Sequence, residues 1–72
     1  MTRTLMWEVK AADGRLEELL AWVLAQVAPE AAVYRSADGR VVLIEPSGVK
    51  PGEPPAELVA RPPHAWSFDR VR

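Results

Sequence analysis

The chain contains a single histidine and no cysteine. Histidine is the side chain that changes charge near neutral pH, which makes His64 the natural candidate for a general base. His64 follows two prolines and has no acidic partner close to it in sequence, which favours a histidine at the surface or at a hinge over a general base. The absence of cysteine excludes a thiolate nucleophile, a disulfide framework and cysteine-bound metal, and one histidine excludes multi-histidine metal sites. We therefore expect no metal and no cofactor.

Two further residues could act on a ligand if they lined a cavity. Tyr34 could stabilise an enolate or phenolate by hydrogen bonding, and Arg35 could bind a carboxylate. Glu8 and Lys10 occupy the less apolar face of the first predicted strand, and Glu8 is a candidate to line the same cavity. Polar side chains on solvated strand faces account for these residues as well, and this alternative stays open.

The aromatic residues fall into two groups. Trp66 and Phe68 could line a cavity for a planar ligand, or they could be core residues. Trp22 lies about 130° from the centre of the apolar stripe of its predicted helix, at 100° per residue. We therefore expect Trp22 to lie outside the main core, covered by residues 46–63, by a partner chain or by a ligand.

The composition narrows the class of protein. The 72 residues and 8.0 kDa allow one domain, and the 49% of apolar residues is typical of a globular chain. A net charge of −1 gives no basic surface for nucleic acid or for an anionic membrane. The longest apolar run, residues 19–25, is far shorter than the roughly 20 residues of a membrane helix. A cytoplasmic protein is expected, and seven arginines to two lysines are typical of a GC-rich bacterial genome.

Hydrophobic periodicity predicts the elements. Residues 4–11 and 65–71 alternate as strands do, and residues 16–28 form an amphipathic helix with Asp13 as its N-cap. Residues 32–37 and 40–45 form a hairpin around Asp38-Gly39, a preferred pair for a two-residue turn. That loop length would pair Tyr34 with Leu43. The apolar stripe of the helix comprises Leu16, Leu19, Leu20, Val23, Leu24 and Val27.

Residues 46–63 carry six of the seven prolines. We expect them to form an ordered arm across the fold, with a short helix within residues 55–60. The element order is then β-α-β-β-(short α)-β in a single domain of residues 1–72, an α+β sandwich of ferredoxin-like type with an antiparallel sheet. An open βαββ sheet with an extended arm is the alternative.

The third strand suggests a partner chain. Residues 41–44 are apolar on both faces of the strand, and helices cover only one face of such a sheet. We therefore expect a homodimer through the sheet, with Val41, Val42 and Met6 as candidate interface residues and Trp22 as a further one. Simple exposure of Val41 or Val42 near an edge is the other reading.

The run from Val33 to Glu45, preceded by a strand and a helix, resembles the middle of antibiotic-biosynthesis-monooxygenase-like proteins of the dimeric α/β-barrel superfamily. The likeness covers about residues 4–46. It implies two ferredoxin-like sheets packed face to face around a cavity for aromatic molecules or, in some branches, haem. The chain departs from that group after residue 46, where the arm replaces most of the second helix, so no catalytic residue of the group has a matched position here.

Three functions follow from these observations. The first is a non-catalytic homodimer that binds a small apolar or aromatic ligand or a partner protein. The second is a cofactor-free monooxygenase- or cyclase-like enzyme acting on an aromatic molecule. The third is a regulatory module for amino-acid-like ligands, which would need glycine-rich loops beyond Asp13-Gly14.

Overall fold

The computed structural model describes residues 3–72. It contains four strands, one α-helix and one 3₁₀ turn. The strands are β1 (Arg3–Lys10), β2 (Ala32–Arg35), β3 (Arg40–Glu45) and β4 (His64–Asp69), the helix is α1 (Leu16–Gln26), and the 3₁₀ turn is Ala56–Leu58. The predicted order of elements is confirmed, with the short second helix reduced to three residues.

The strands form one antiparallel sheet in the order β2-β3-β1-β4. The first strand therefore lies between the third and the fourth, with α1 connecting it to an edge strand two positions away. This is an α+β fold compatible with the ferredoxin-like arrangement.

The core lies between the sheet and α1. Alternate residues of β1 and β3 point toward the helix and are buried, because side chains of a strand alternate between its two faces. Val41 belongs to this set and is fully buried at 0% exposure, while Val42 points to the other side and is half-buried. The core cluster comprises Leu5, Trp7, Val9, Ala11, Leu19, Val23, Val41, Leu43 and Leu58.

The start of α1 differs from the prediction. The helix begins at Leu16, after a turn in which the Arg15 amide donates to the carbonyl of Ala12 at 3.0 Å. Gly14 has a φ of 74°, a left-handed conformation that helical residues do not adopt. Asp13 therefore lies before the interruption and is not the N-cap. Arg15 takes that position and makes no side-chain capping hydrogen bond.

The buried face of α1 is rotated relative to the predicted stripe. Leu19 and Val23 are fully buried, but Leu24 is 59% exposed and Trp22 packs against the core. At 100° per residue, the mid-point of Leu19 and Val23 is turned by about 50° from the centre of the predicted stripe, toward Trp22. Three further stripe residues also pack against the core, Leu16, Leu20 and Val27. Trp22 therefore lies outside the fully buried cluster, as predicted, but packs directly against it. The stripe was averaged over all apolar positions, including Leu24, which the sheet does not reach.

The hairpin of β2 and β3 has a three-residue loop in place of the predicted two. The Ser36 amide donates to the carbonyl of Arg40 at 2.9 Å, and Gly39 takes a φ of 90°. The Ser36 hydroxyl also accepts from the Arg40 amide at 2.9 Å. Tyr34 consequently pairs with Val42 and not with Leu43. A shift of one residue reverses the faces of a strand, so Tyr34 moves to the side away from α1.

The arm of residues 46–63 joins the helix side of the fold through its second half. Leu58 enters the core, and Pro54 is buried. The Ala12 amide donates to Leu58 at 2.9 Å, and the Ala60 amide donates to Lys10 at 2.8 Å. These bonds attach the arm to the end of β1. The 3₁₀ turn itself contacts α1.

Candidate functional site

The sheet face away from α1, which we call the open face, is apolar at its centre. Alternation and the strand registers place twelve residues on it. Met6, Val42 and Ile44 are half-buried in the middle, while Trp66 and Phe68 are 47% and 50% exposed along β4. The full set is Thr4, Met6, Glu8, Lys10, Ala32, Tyr34, Arg40, Val42, Ile44, His64, Trp66 and Phe68.

A hollow of about 350 Å³ lies at one end of the open face. Its wall includes Met6, Ile44 and Phe68, so most of its surface is apolar, with one carboxylate and one guanidinium at the rim. A space of this size and lining suits a small apolar or aromatic molecule. The lining residues are Thr4, Met6, Ile44, Pro46, Phe68, Asp69 and Arg70.

The other end of the open face carries ionisable groups in one row across the sheet. Tyr34 pairs with Val42, Val42 with Glu8, and Glu8 with His64. Direct cross-strand neighbours have Cβ atoms about 4.5–5.5 Å apart. The sheet thus supplies His64 with a neighbouring carboxylate that sequence proximity did not reveal.

Glu8 is also surrounded by cations. Its Oε2 lies 3.6 Å from Arg40 Nη1 and 3.8 Å from Arg61 Nη2, and its side chain is only 15% exposed. Both distances are long for a charge-assisted hydrogen bond, so neither guanidinium is held tightly. Arg40 and Arg61 were not predicted as site residues. Arg40 lies directly opposite Lys10 in the sheet. It could have been predicted as a site residue only from the correct pairing of β1 with β3.

His64 stacks on Trp66. Their ring centroids lie 6.0 Å apart with an angle of 17° between the planes, because residues two apart on a strand share a face. This contact orients the imidazole beside the aromatic surface of β4.

Three predicted site residues lie elsewhere. Arg35 points to the helix side, where its Nη1 is 2.8 Å from Glu17 Oε2. Adjacent residues of a strand point to opposite faces, so Arg35 and Tyr34 are separated in any register, and the observed register places Tyr34 on the open face. Val41 is in the core and is inaccessible to an interface, and Trp22 packs on the helix side. His64, Tyr34, Glu8, Trp66, Phe68, Val42 and Met6 share the open face.

The hairpin loop holds one perturbed carboxyl group. The hydrogen bond from the Ser36 hydroxyl lowers the pKa of Asp38, and the nearby charges of Arg40 and Lys10 act in the same direction. Asp38 Oδ2 lies 3.5 Å from Arg40 Nε and 3.9 Å from Lys10 Nζ. Asp38 therefore neutralises part of the positive charge beside the row of ionisable groups.

Among residues 3–72, no group of three or more histidine, cysteine or acidic side chains could hold a metal ion. The one helix in this range is too short to cross a membrane. No family model matches the chain, and comparisons with curated proteins and with solved structures give no match either.

Proposed function

We propose that this protein is a homodimeric binding module that holds a small apolar or aromatic molecule between the open faces of two copies. The observation that carries the proposal is the apolar centre of the open face, on which Trp66 and Phe68 are each about half exposed. Exposed apolar patches of this kind mark interaction sites.

The arrangement of charge favours a second copy as the covering surface. Met6, Val42 and Ile44 form an apolar centre, and the charged groups stand at the ends of the face. Interfaces between proteins have this same apolar centre and polar rim. Two such faces packed together would form the facing sheets of a dimeric α/β barrel.

The size of the open face comes close to the lower limit for a specific interface. Four strands about 4.8 Å apart and six residues at about 3.3 Å give on the order of 400 Å² of flat area per copy. A specific interface buries about 1,000 Å² or more over both partners. The protruding rings of Trp66 and Phe68 bring the two faces close to that requirement.

The hollow supplies the ligand site. Phe68, Ile44 and Met6 offer an apolar wall, and a second sheet over the opening would enclose a planar molecule. Ligand sites are concave, mostly apolar and bordered by a few polar groups. Asp69 and Arg70 provide such groups at the rim.

The row of Tyr34, Glu8 and His64 favours a second candidate, a cofactor-free monooxygenase- or cyclase-like enzyme for an aromatic molecule. In that case His64 would accept a proton from the substrate beside the Glu8 carboxylate. An enzyme differs from a binding module in consuming its ligand. A reaction that the His64→Gln variant abolishes, with ligand binding retained, would establish the enzyme.

Association through the open face predicts that Val42→Asp halves the mass of the protein in solution. A carboxylate at the centre of an apolar interface is desolvated without a partner, which costs several kcal/mol. Sedimentation equilibrium measures the mass. Leu24→Asp is the matched control, because it places the same charge on an exposed position of α1 and should leave the mass unchanged. An unchanged mass for Val42→Asp would contradict the face-to-face dimer.

Ligand binding in the hollow predicts that Phe68→Ala weakens the binding of the neutral aromatic dye Nile red. An aromatic contact contributes about 0.5–1.5 kcal/mol, so the dissociation constant should rise by about 2–10-fold. Fluorescence titration measures this constant. Leu24→Ala removes a similar exposed side chain outside the hollow and should leave the dissociation constant as in the wild type. Equal affinities for all three proteins would argue against the hollow as the site.

A further inference from the structure

Strand β4 is exposed along its whole length. Every residue from His64 to Asp69 is exposed, on both faces of the sheet, although Trp66 and Phe68 are large and apolar. In the described part of the chain, β4 pairs with β1 alone, so its outer edge is unpaired. The other edge strand, β2, has only four residues, which is a common protection against strand pairing. β4 contains neither proline nor lysine to protect its edge.

The hydrogen bonds of β1 show which amides and carbonyls of β4 point away from the sheet. Ala11 donates toward β3, to the carbonyl of Gly39, whereas Lys10 and Ala12 bond to the arm on the β4 side. Backbone groups alternate along a strand, and β1 keeps one register with β3 from Leu5 to Lys10. Thr4, Met6 and Glu8 therefore bond to β4.

The partners of those three residues on β4 are Phe68, Trp66 and His64. Their amides and carbonyls point inward, toward β1. The amides and carbonyls of Ala65, Ser67 and Asp69 consequently point outward, away from the sheet. These three residues form a hydrogen-bonding edge with no partner in the described chain.

We propose that β4 pairs with β4 of a second copy, antiparallel, around a two-fold axis at Ser67. Ser67 then lies opposite its own copy, and Ala65 lies opposite Asp69, so all the outward groups find partners. A two-fold axis at Trp66 would instead set Asp69 against Pro63, which has no amide hydrogen. The axis at Ser67 is therefore the one that completes the ladder within β4.

The side chains agree with this register. Trp66 of one copy would lie directly across from Phe68 of the other, twice, in non-hydrogen-bonded pairs where side chains are closest. Aromatic cross-strand pairs are favourable in sheets. Asp69 would face the small Ala65, so no like charges oppose each other at the outward positions. The edge is thus self-complementary in backbone and in side chains.

This contact uses the edge of the sheet, whereas the proposed function uses its open face, so the two are independent. Edge pairing joins two sheets side by side, and face packing can then stack two such pairs. Both contacts together give four copies, so the face-to-face homodimer is then one half of a tetramer, and Val42→Asp, which halves the mass, leaves an edge-paired dimer. Either contact alone gives two copies.

Cysteine cross-linking tests the axis, since the chain has no cysteine of its own. In the proposed pair the two Ser67 Cα atoms lie about 5.5 Å apart, within the range a disulfide bridges. Ser67→Cys should therefore give a covalent dimer on mild oxidation, seen on a non-reducing gel. Ala65→Cys is the matched control, because its two copies would lie about 13 Å apart along the strands. It should remain monomeric on the gel.

The same experiment in the Val42→Asp background separates the two proposals. If Ser67→Cys forms the covalent dimer equally well with and without Val42→Asp, the edge contact is supported independently of association through the open face. Equal cross-linking of Ser67→Cys and Ala65→Cys, or of neither, overturns the edge pairing. A monomeric mass for Val42→Asp, measured before any cysteine is introduced, overturns it as well.

Discussion

The Val41→Asp variant is expected to be unfolded. Val41 is fully buried between the sheet and α1, opposite Val9 of the central strand. An unpaired carboxylate in such a site costs several kcal/mol or more. A chain of this length has a total stability of about 4–11 kcal/mol, at about 0.05–0.15 kcal/mol per residue. Far-UV circular dichroism and urea denaturation would show the loss of the cooperative transition.

The control for Val41→Asp is the same change one residue further along the strand. Val42→Asp places the carboxylate on the open face, where water reaches it once the copies separate. This variant should keep the circular dichroism of the folded sheet. If Val41→Asp retained a cooperative transition at the wild-type urea concentration, the assignment of the two faces of β3 would be wrong.

Trp22→Ala is expected to lower the free energy of unfolding by about 2–4 kcal/mol. This is slightly less than for a fully buried tryptophan, because Trp22 is half-buried. Its indole packs against the core on the side of α1 toward which the buried face is rotated. Urea denaturation of Trp22→Ala measures the loss.

Leu24→Ala is the matched change on the same helix. Leu24 is 59% exposed, so this variant should lie within about 0.5 kcal/mol of the wild type. If Leu24→Ala lowered the free energy of unfolding more than Trp22→Ala, the buried face of α1 would be centred on the predicted apolar stripe and not turned toward Trp22.

The regular elements could be predicted because local patterns determine them. The bounds of β3 agree with the strand predicted over residues 40–45, a continuous run of aliphatic residues between two charged ones, and α1 follows its periodic leucines and valines. The proline-rich composition of residues 46–63 also indicated why the second helix is reduced to a single 3₁₀ turn. In each case the residues that define the element are close together in sequence.

The sequence-based predictions were wrong where a single side chain or a contact between distant residues determines the structure. The Ser36 hydroxyl bonds to the Arg40 amide and supports a longer loop than Asp38-Gly39 alone suggests. That single residue moved Tyr34 onto the open face and removed Arg35 from it. Turn type sets hairpin register, so a small error in the loop changed two candidate site residues.

The candidate site could be predicted only in part. Trp66 and Phe68 were identified by strand alternation, and both lie on the open face. The proximity of Glu8 to His64 depends on the pairing of the first strand with the last, which no local pattern contains. Arg61 reaches Glu8 only because the arm bonds to the end of β1.

The central place of β1 has a consequence for the order in which the chain folds. Arg3 pairs with Asp69, and Leu5 pairs with Glu45, so both neighbours of the first strand are distant in sequence. Contacts of high sequence separation form slowly, because a long loop must close before they gain any free energy. During synthesis the hairpin of β2 and β3 can form early, on the microsecond scale of local hairpins. β1 must therefore wait until β3 and β4 have been made, and until then its apolar residues are available to chaperones and to other unfinished chains.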